Sequence, residues 1–420
     1  MKARFFLNQP NWHHEDVPLP TRTPLAFHRR LPGYQTTPLI DAPGLARLLR
    51  IGQVLVKDES SRLGLPAFKI LGASWAVYRA LETRAAESSE GGAPASAGDG
   101  LRRGESALPG LAAASPSGIL EPWRAIDELA ARLSPLRPLT LATATDGNHG
   151  RAVAHVAALF GFAARIFIPA GTAQARIDGI ASEGAQVEVI DGTYDDAVEC
   201  VAHEASDRCL VVSDTSWPGY EQIPQWVTEG YSTMLWEVDD ELERRGEKDP
   251  DLFAVQFGVG ALAAAVVRHY HAGRRARPKI LSVESLQAAC MLASMKAGAI
   301  VTVPGPHDSI MAGLNCGRPS IVAWPIVSAG IDAFIAIPDE RAREAMRALA
   351  QIGIVAGETG AAGLAGLIEL LTGAENAEHR AALRVDRSSR ALILVTEGAT
   401  DPASYTQIVG EERAFILLSS

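Results

Sequence analysis

Nine apolar runs of strand length recur along the 420 residues, at 54–56, 139–144, 164–168, 186–190, 209–212, 252–257, 280–283, 334–337 and 391–395, with helical patterns between most of them. A continuous apolar run suits a strand covered on both faces, and parallel strands need a crossover helix to return the chain. The alternation therefore predicts an α/β protein with open, mostly parallel sheets flanked by helices. Ligands in such sheets sit beyond the carboxyl ends of the strands. Two sheets with a cleft between them fit the number of runs.

Three junctions between a run and a helix carry chemistry. The apolar run 139–144 meets the helical spacing of Val153, Val156, Ala157 and Phe160 through Thr145-Asp146-Gly147-Asn148-His149-Gly150. Glycines open backbone conformations that other residues resist, and free N–H groups at a helix start suit a carboxylate or a phosphate. Taken singly, Asp146 reads equally as a helix cap or a turn residue. Lys69 follows Phe68 and opens a helical pattern through Ile70, Leu71, Trp75, Val77, Tyr78 and Leu81. Burial there would lower the amine's pKa and free its lone pair, whereas a lone lysine at a helix start is ordinarily a solvated charge. The third junction is Gly258-Val259-Gly260-Ala261-Leu262, after the run 252–257 and before a helix of small residues. A strand, glycine loop and helix start of this kind cradles phosphate, although Ala263 replaces the last glycine of a GxGxxG and no GK[ST] follows.

A lysine, a carboxylate-binding turn and a phosphate loop, in that order, are the parts needed to hold pyridoxal 5'-phosphate and an amino acid. The order resembles the fold type II pyridoxal-phosphate enzymes of the tryptophan-synthase-β type, and the spelling resembles the diaminopropionate ammonia-lyases among them. The carriers are Leu31-Pro32-Gly33-Tyr34 with Thr37-Pro38-Leu39, Lys57-Asp58-Glu59-Ser60, Phe68-Lys69 and Thr145 to Gly150. They continue in Asp214-Thr215-Ser216-Trp217 with Gly219-Tyr220, Met311 to Leu314, Gly357 to Ala361 and Thr396-Glu397-Gly398. Related dehydratases have Ser or Thr at the position of Asp146. The family's Glu-Gly-Asp-Thr-Asp is here Glu397-Gly398-Ala399-Thr400-Asp401, one carboxylate fewer near the cofactor edge.

The resemblance implies a carbon–nitrogen lyase that eliminates ammonia from L- and D-2,3-diaminopropionate to give pyruvate and a second ammonia. It assigns Lys69 to the Schiff base with the cofactor and to the L-face base, Asp146 to the opposite face, and Asp146 with Asp214 to the departing amine. Asn148 would meet the phenolic oxygen, Gly258 to Leu262 the phosphate, Thr396 the pyridine nitrogen and Glu358 the ring, with Phe68 also binding the cofactor. Thr145, Asp146, Gly147 and His149 would receive the substrate, with Thr145 and His149 supplying N–H groups to its carboxylate; His149 reads equally as an ordinary helix-start histidine. Two other readings stay open: a dehydratase of serine, threonine or hydroxyaspartate, and a non-catalytic cofactor or amino-acid binding protein.

The resemblance also implies a larger unit of residues 1–53 and 213–420 around a smaller one of 54–212, and a homodimer. Residues 85–118, rich in Ala, Ser, Gly and Pro, read as an insertion outside the family pattern. The net charge of −10 argues against nucleic acid as a general partner, and no apolar stretch reaches membrane-spanning length. With no signal-peptide core and only four cysteines, a cytoplasmic protein with reduced thiols is expected; Cys290 and Cys316 are potential neighbours in space, with a disulfide between them as the secondary reading. No metal ligand set is expected. Asp195 and Asp196 are read as acids of a helix first turn rather than a catalytic pair.

Overall fold

The computed structural model describes residues 2–12, 20–89, 123–271 and 277–418. Its eleven strands are β1 (Arg4–Leu7), β2 (Leu39–Asp41), β3 (Gln53–Asp58), β4 (Thr140–Ala144), β5 (Ala163–Pro169), β6 (Gln186–Ile190), β7 (Cys209–Val211), β8 (Leu252–Gln256), β9 (Lys279–Ser285), β10 (Ala333–Ile337) and β11 (Arg390–Val395). Seven form one sheet in the order β1-β10-β9-β8-β11-β3-β2, and four form a second in the order β6-β5-β4-β7. Every pairing is parallel except the two edges, where β1 runs against β10 and β2 against β3. The predicted fold class holds, and each of the nine apolar runs is a strand.

The central strands are apolar throughout because helices cover both faces. All five residues of β8 and of β10 are buried, as are Val54, Leu55 and Val56 of β3. The expected division of the chain set 54–56 with the smaller unit, yet β3 pairs with β11 in the seven-stranded sheet. The chain leaves that sheet after β3, through the loop that ends in Phe68. Helix Lys69–Ser89 then packs between helix Asn148–Phe160 and helix Gln222–Gly230, on the side of the four-stranded sheet. Of the insertion expected over 85–118, residues 85–89 continue this helix, and residues 90–118 lie outside the described residues.

Helix Asn148–Phe160 shows how local sequence sets the geometry. It begins at Gly147, whose φ of +147° favours glycine, and ends at Gly161 in the left-handed conformation of a helix C-cap. Its start therefore lies directly at the carboxyl end of β4.

Candidate active site

One pocket opens where strands of both sheets end. Thr145, Asp146, Asn148 and His149 follow β4, Tyr194 follows β6, and Asp214 follows β7. From the seven-stranded sheet come Gly258 to Leu262 after β8 and Thr396 with Glu397 after β11. Phe68 and Lys69, at the start of their helix, complete the arc. The pocket is open at its mouth, and the space there, mouth included, measures about 740 Å³.

Lys69 Nζ donates to Asp214 Oδ2 at 2.6 Å, with 20% of the lysine side chain and 6% of the aspartate exposed. Burial alone pushes the ammonium toward losing its proton, but Asp214, helped by Tyr231 and Asp146, outweighs it and raises the Lys69 pKa. The sequence-based expectation of a depressed amine is thereby reversed. Burial would also raise Asp214, yet Lys69, His149 and the Tyr194 hydroxyl hold its carboxyl well below the usual carboxylate range. Tyr194 Oη donates to Asp214 Oδ1 at 3.2 Å, so both carboxylate oxygens are engaged.

The turn after β4 is held from within. Thr145 Oγ1 accepts from the N–H groups of Gly147 at 2.9 Å and Gly150 at 3.0 Å, and the Thr145 N–H donates to Phe167 O at 2.9 Å. The expected donation from the Thr145 N–H to a substrate is thus corrected: sheet pairing already uses it. The N–H groups of Asp146, Asn148 and His149 have no partner among the described residues and remain as donors. The His149 ring is buried, with Nε2 2.8 Å from Val212 O, and burial keeps its pKa low. Burial raises the Asp146 carboxyl, opposed by Lys69 and Arg176.

The loop after β8 offers a second donor set. The N–H groups of Val259, Gly260, Ala261 and Leu262 have no partner among the described residues, while Ser320 N donates to Val259 O from behind. Gly260 adopts φ +105°, and a Cβ there would lie 2.7 Å from Phe257 Cζ. Across the pocket, Gln256 Nε2 donates to Thr396 Oγ1 at 3.2 Å, leaving the threonine hydroxyl proton to donate onward. Asn148 Nδ2 donates to Glu397 Oε2, and Thr359 N donates to Glu397 Oε1 at 3.0 Å.

Thirteen expected site positions line this pocket and two do not. Gly147 lies behind the turn, its missing Cβ facing Arg176. Glu358, expected beside the cofactor ring, is not among the lining residues, and its Oε1 accepts from Ser404 Oγ at 2.5 Å. Tyr194 and Gln256 line the pocket without having been marked by sequence, because each is a common residue outside a glycine turn, and Thr359 lines it from the motif 357–361, which had given it no role. Gly313, Leu314 and Cys316 also line it; the motif 311–314 pointed to this segment without giving it a role. Asp195 and Asp196 both stand in the first turn of their helix, as read; Asp196 forms a capping box with Thr193, and Asp195 also packs on Gly317 near His307. Cys290 and Cys316 are buried free thiols that both approach Gly258. No group of metal-ligating side chains occurs among the described residues.

Comparison with known proteins agrees with this geometry. The family model "Pyridoxal-phosphate dependent enzyme" matches residues 123–396. Diaminopropionate ammonia-lyase of Salmonella typhimurium is 34% identical over 400 residues, covering 93% of this chain and 92% of the relative. The crystal structure of the Escherichia coli diaminopropionate ammonia-lyase in complex with an aminoacrylate-PLP azomethine reaction intermediate superposes with a TM-score of 0.80 at 31% identity, over 98% of each chain. Threonine deaminase isoform 2 of Solanum lycopersicum, at 17% identity and a TM-score of 0.66, shares the fold. With lysine, turn and phosphate loop meeting in one pocket, and with these relatives matched over nearly its whole length, the chain belongs to the diaminopropionate ammonia-lyases of the pyridoxal-phosphate dependent enzyme family.

Proposed function

We propose that this chain is a pyridoxal-phosphate-dependent carbon–nitrogen lyase that eliminates ammonia from 2,3-diaminopropionate of either configuration, yielding pyruvate and a second ammonia. The observation that carries the reading is the meeting of Lys69, paired with Asp214 at 2.6 Å, and Asp146 in one pocket. The residues present fit the cofactor. Four unpartnered N–H groups at 259–262 suit its phosphate, Lys69 its aldehyde carbon, the Thr396 hydroxyl its pyridine nitrogen and the Asn148 amide its phenolic oxygen. Bound there, pyridoxal phosphate supplies an electron sink for the charge left at Cα.

The chain's own groups handle the protons. Lys69 Nζ takes the Cα proton of the L isomer, and the neighbouring Asp214 carboxylate stabilises the ammonium that forms. Asp146 takes the Cα proton of the D isomer from the other face. The Cβ amine leaves as ammonium, a form that the Asp146 and Asp214 carboxylates favour. Free N–H groups of Asn148 and His149 hold the substrate carboxylate. The released enamine reacts with water to give pyruvate and the second ammonia. The Thr396 hydroxyl would offer the ring nitrogen a neutral hydrogen-bond donor, which would suit elimination better than transamination.

The deciding experiment measures ammonia and pyruvate from L- and D-2,3-diaminopropionate beside L-serine, L-threonine and hydroxyaspartate, with pyridoxal phosphate supplied. Two ammonia per pyruvate, faster than from the hydroxy acids, is expected. Turnover of the hydroxy acids alone would make the protein a dehydratase. Asp146→Asn is expected to lose D-isomer turnover far more than L-isomer turnover. A homodimer in the cytoplasm accompanies this reading, supported by the family resemblance; light scattering on the purified protein tests the assembly. No helix among the described residues is long and apolar enough to cross a membrane.

A further inference from the structure

Gln256 is the last residue of β8, and Thr396 follows the neighbouring strand β11. Both are buried, and both line the pocket. The Gln256 amide is held at its nitrogen end. Its Nε2 donates to Leu394 O at 2.9 Å, Gly360 O at 3.2 Å and Thr359 O at 3.3 Å, besides Thr396 Oγ1 at 3.2 Å. Turned over, the amide would set its oxygen against three backbone carbonyls, so these acceptors fix which end is nitrogen. The Oε1 atom faces Gly363, where a Cβ would lie 3.4 Å away, and has no partner among the described residues. An unpartnered buried acceptor is destabilising, so the orientation of this amide is set by what its NH2 group holds.

We propose that Gln256 is a positioning residue that holds the Thr396 hydroxyl as a hydrogen-bond donor toward the ring nitrogen of the cofactor. The proposal rests on the reading, given above, that Thr396 meets that nitrogen. A threonine hydroxyl has one proton and turns it to suit its neighbours. An amide nitrogen accepts no hydrogen bond, so the Thr396 proton cannot turn back toward Gln256, and Thr396 Oγ1 donates to no other group among the described residues. The Thr396 backbone is fixed as well, its carbonyl accepting from Phe68 N at 3.2 Å, next to Lys69. With its oxygen seated on the amide, the hydroxyl presents its proton to a ligand in the pocket. A pyridine nitrogen, which is an acceptor, is the matching group. The other acceptors of such a ligand have donors of their own, the phosphate at 259–262 and the substrate carboxylate at Asn148 and His149.

The test is binding of pyridoxal phosphate to the cofactor-free protein, read as a dissociation constant beside that of the deaza analogue, in which a C–H group replaces the ring nitrogen. Gln256→Met keeps the bulk of the side chain and removes the amide. It is expected to raise the dissociation constant of pyridoxal phosphate about three- to tenfold, the worth of one hydrogen bond, and to move that of the analogue by less than about twofold. Thr396→Val should show the same pattern, and the double variant should bind no more weakly than either single one, as two residues acting through one contact do. Equal weakening for cofactor and analogue would mean that Gln256 merely supports the neighbouring phosphate loop, and would overturn the proposal; so would unchanged binding of pyridoxal phosphate. Circular dichroism identifies a variant that fails to fold, in which case Gln256→Glu replaces it. That carboxyl donates to Thr396 when protonated and accepts when ionised, so binding of pyridoxal phosphate should weaken with rising pH more steeply than in wild type, and binding of the analogue should not; the same steepening for both would overturn the proposal. Thr396→Val separates the two levels. Unchanged binding there would remove the assignment of Thr396 to the ring nitrogen itself, whereas weakening by Thr396→Val with none by Gln256→Met would remove only the role of Gln256.

Discussion

Lys69 and Asp214 are each buried enough to resist charge, and each is kept charged by the other. The pH dependence of this pair follows from its two directions. The Asp214 pKa is depressed on folding, so its contribution is full above the ordinary value of about 3.9 and fades as pH falls; the Lys69 pKa is raised, so its contribution is full below about 10.4 and fades as pH rises. Between those limits the pair stands at full strength. Asp214→Asn would leave the ammonium unpaired in the pocket, and breaking a largely buried pair costs about 3 kcal/mol. Unfolding of the cofactor-free protein should show that loss as a constant gap between wild type and variant from about pH 5 to 9. A gap that opens only at one end of the range would mean that the pair is not ionised as described. The residue itself was legible in sequence as a lysine at a helix start, but its electrostatic state was not, because Asp214 lies 145 positions away.

Two elements translate directly into measurable effects. Gly260 holds φ +105° and has Phe257 and Ala323 packed where a Cβ would go. Gly260→Ala should cost roughly 1–3 kcal/mol of local strain in the phosphate loop. It is therefore expected to weaken retention of pyridoxal phosphate at least several-fold, read as a dissociation constant for the cofactor-free protein; unchanged affinity would show that the loop does not hold the phosphate. Helix Tyr194–Ala202 begins with Thr193 and Asp196 bonded reciprocally. Thr193→Ala should cost about 1 kcal/mol of stability, the usual worth of a helix cap. The same difference between elements explains what the sequence disclosed. The buried strands announced themselves as apolar runs, but β1 and β2 are short antiparallel edges in which only Leu39 is buried, and Arg4–Leu7 and Leu39–Asp41 carry no such signal. The glycine turns around Asp146 and Gly258 were equally readable. Glu358 was not: in Gly357-Glu358-Thr359-Gly360 the backbone turns Glu358 toward Ser404 and leaves Thr359 to face the pocket.

At the scale of the molecule, several motif residues that carried the family resemblance do not reach the pocket. Tyr34, Thr37, Lys57 and Glu59 converge with Arg62 on Glu237, in helix Ser232–Arg245. Arg62 donates to both Glu59 and Glu237, and Lys57 Nζ reaches Glu237 Oε2 at 2.6 Å, all with side chains at most 1% exposed. The network fastens the N-terminal segment, β3 and the loop leading to Lys69 onto one helix, so it stabilises the frame in which the lysine is presented. Two cations and two carboxylates balance. Glu237→Gln would leave one positive charge in excess in the interior, and removing one partner of such a set costs about 3–5 kcal/mol. Burial pushes the Glu237 carboxyl up, but Arg62 and Lys57 hold it below the usual carboxylate range. Its contribution to stability is accordingly full above the ordinary value of about 4.3 and is lost as pH falls through the depressed one. Wild-type stability should therefore drop steeply below that pH, and Glu237→Gln, already weakened, should decline less steeply over the same interval. Denaturant titrations at a series of pH values measure both slopes. Parallel decline of wild type and variant would place the acid sensitivity elsewhere in the chain.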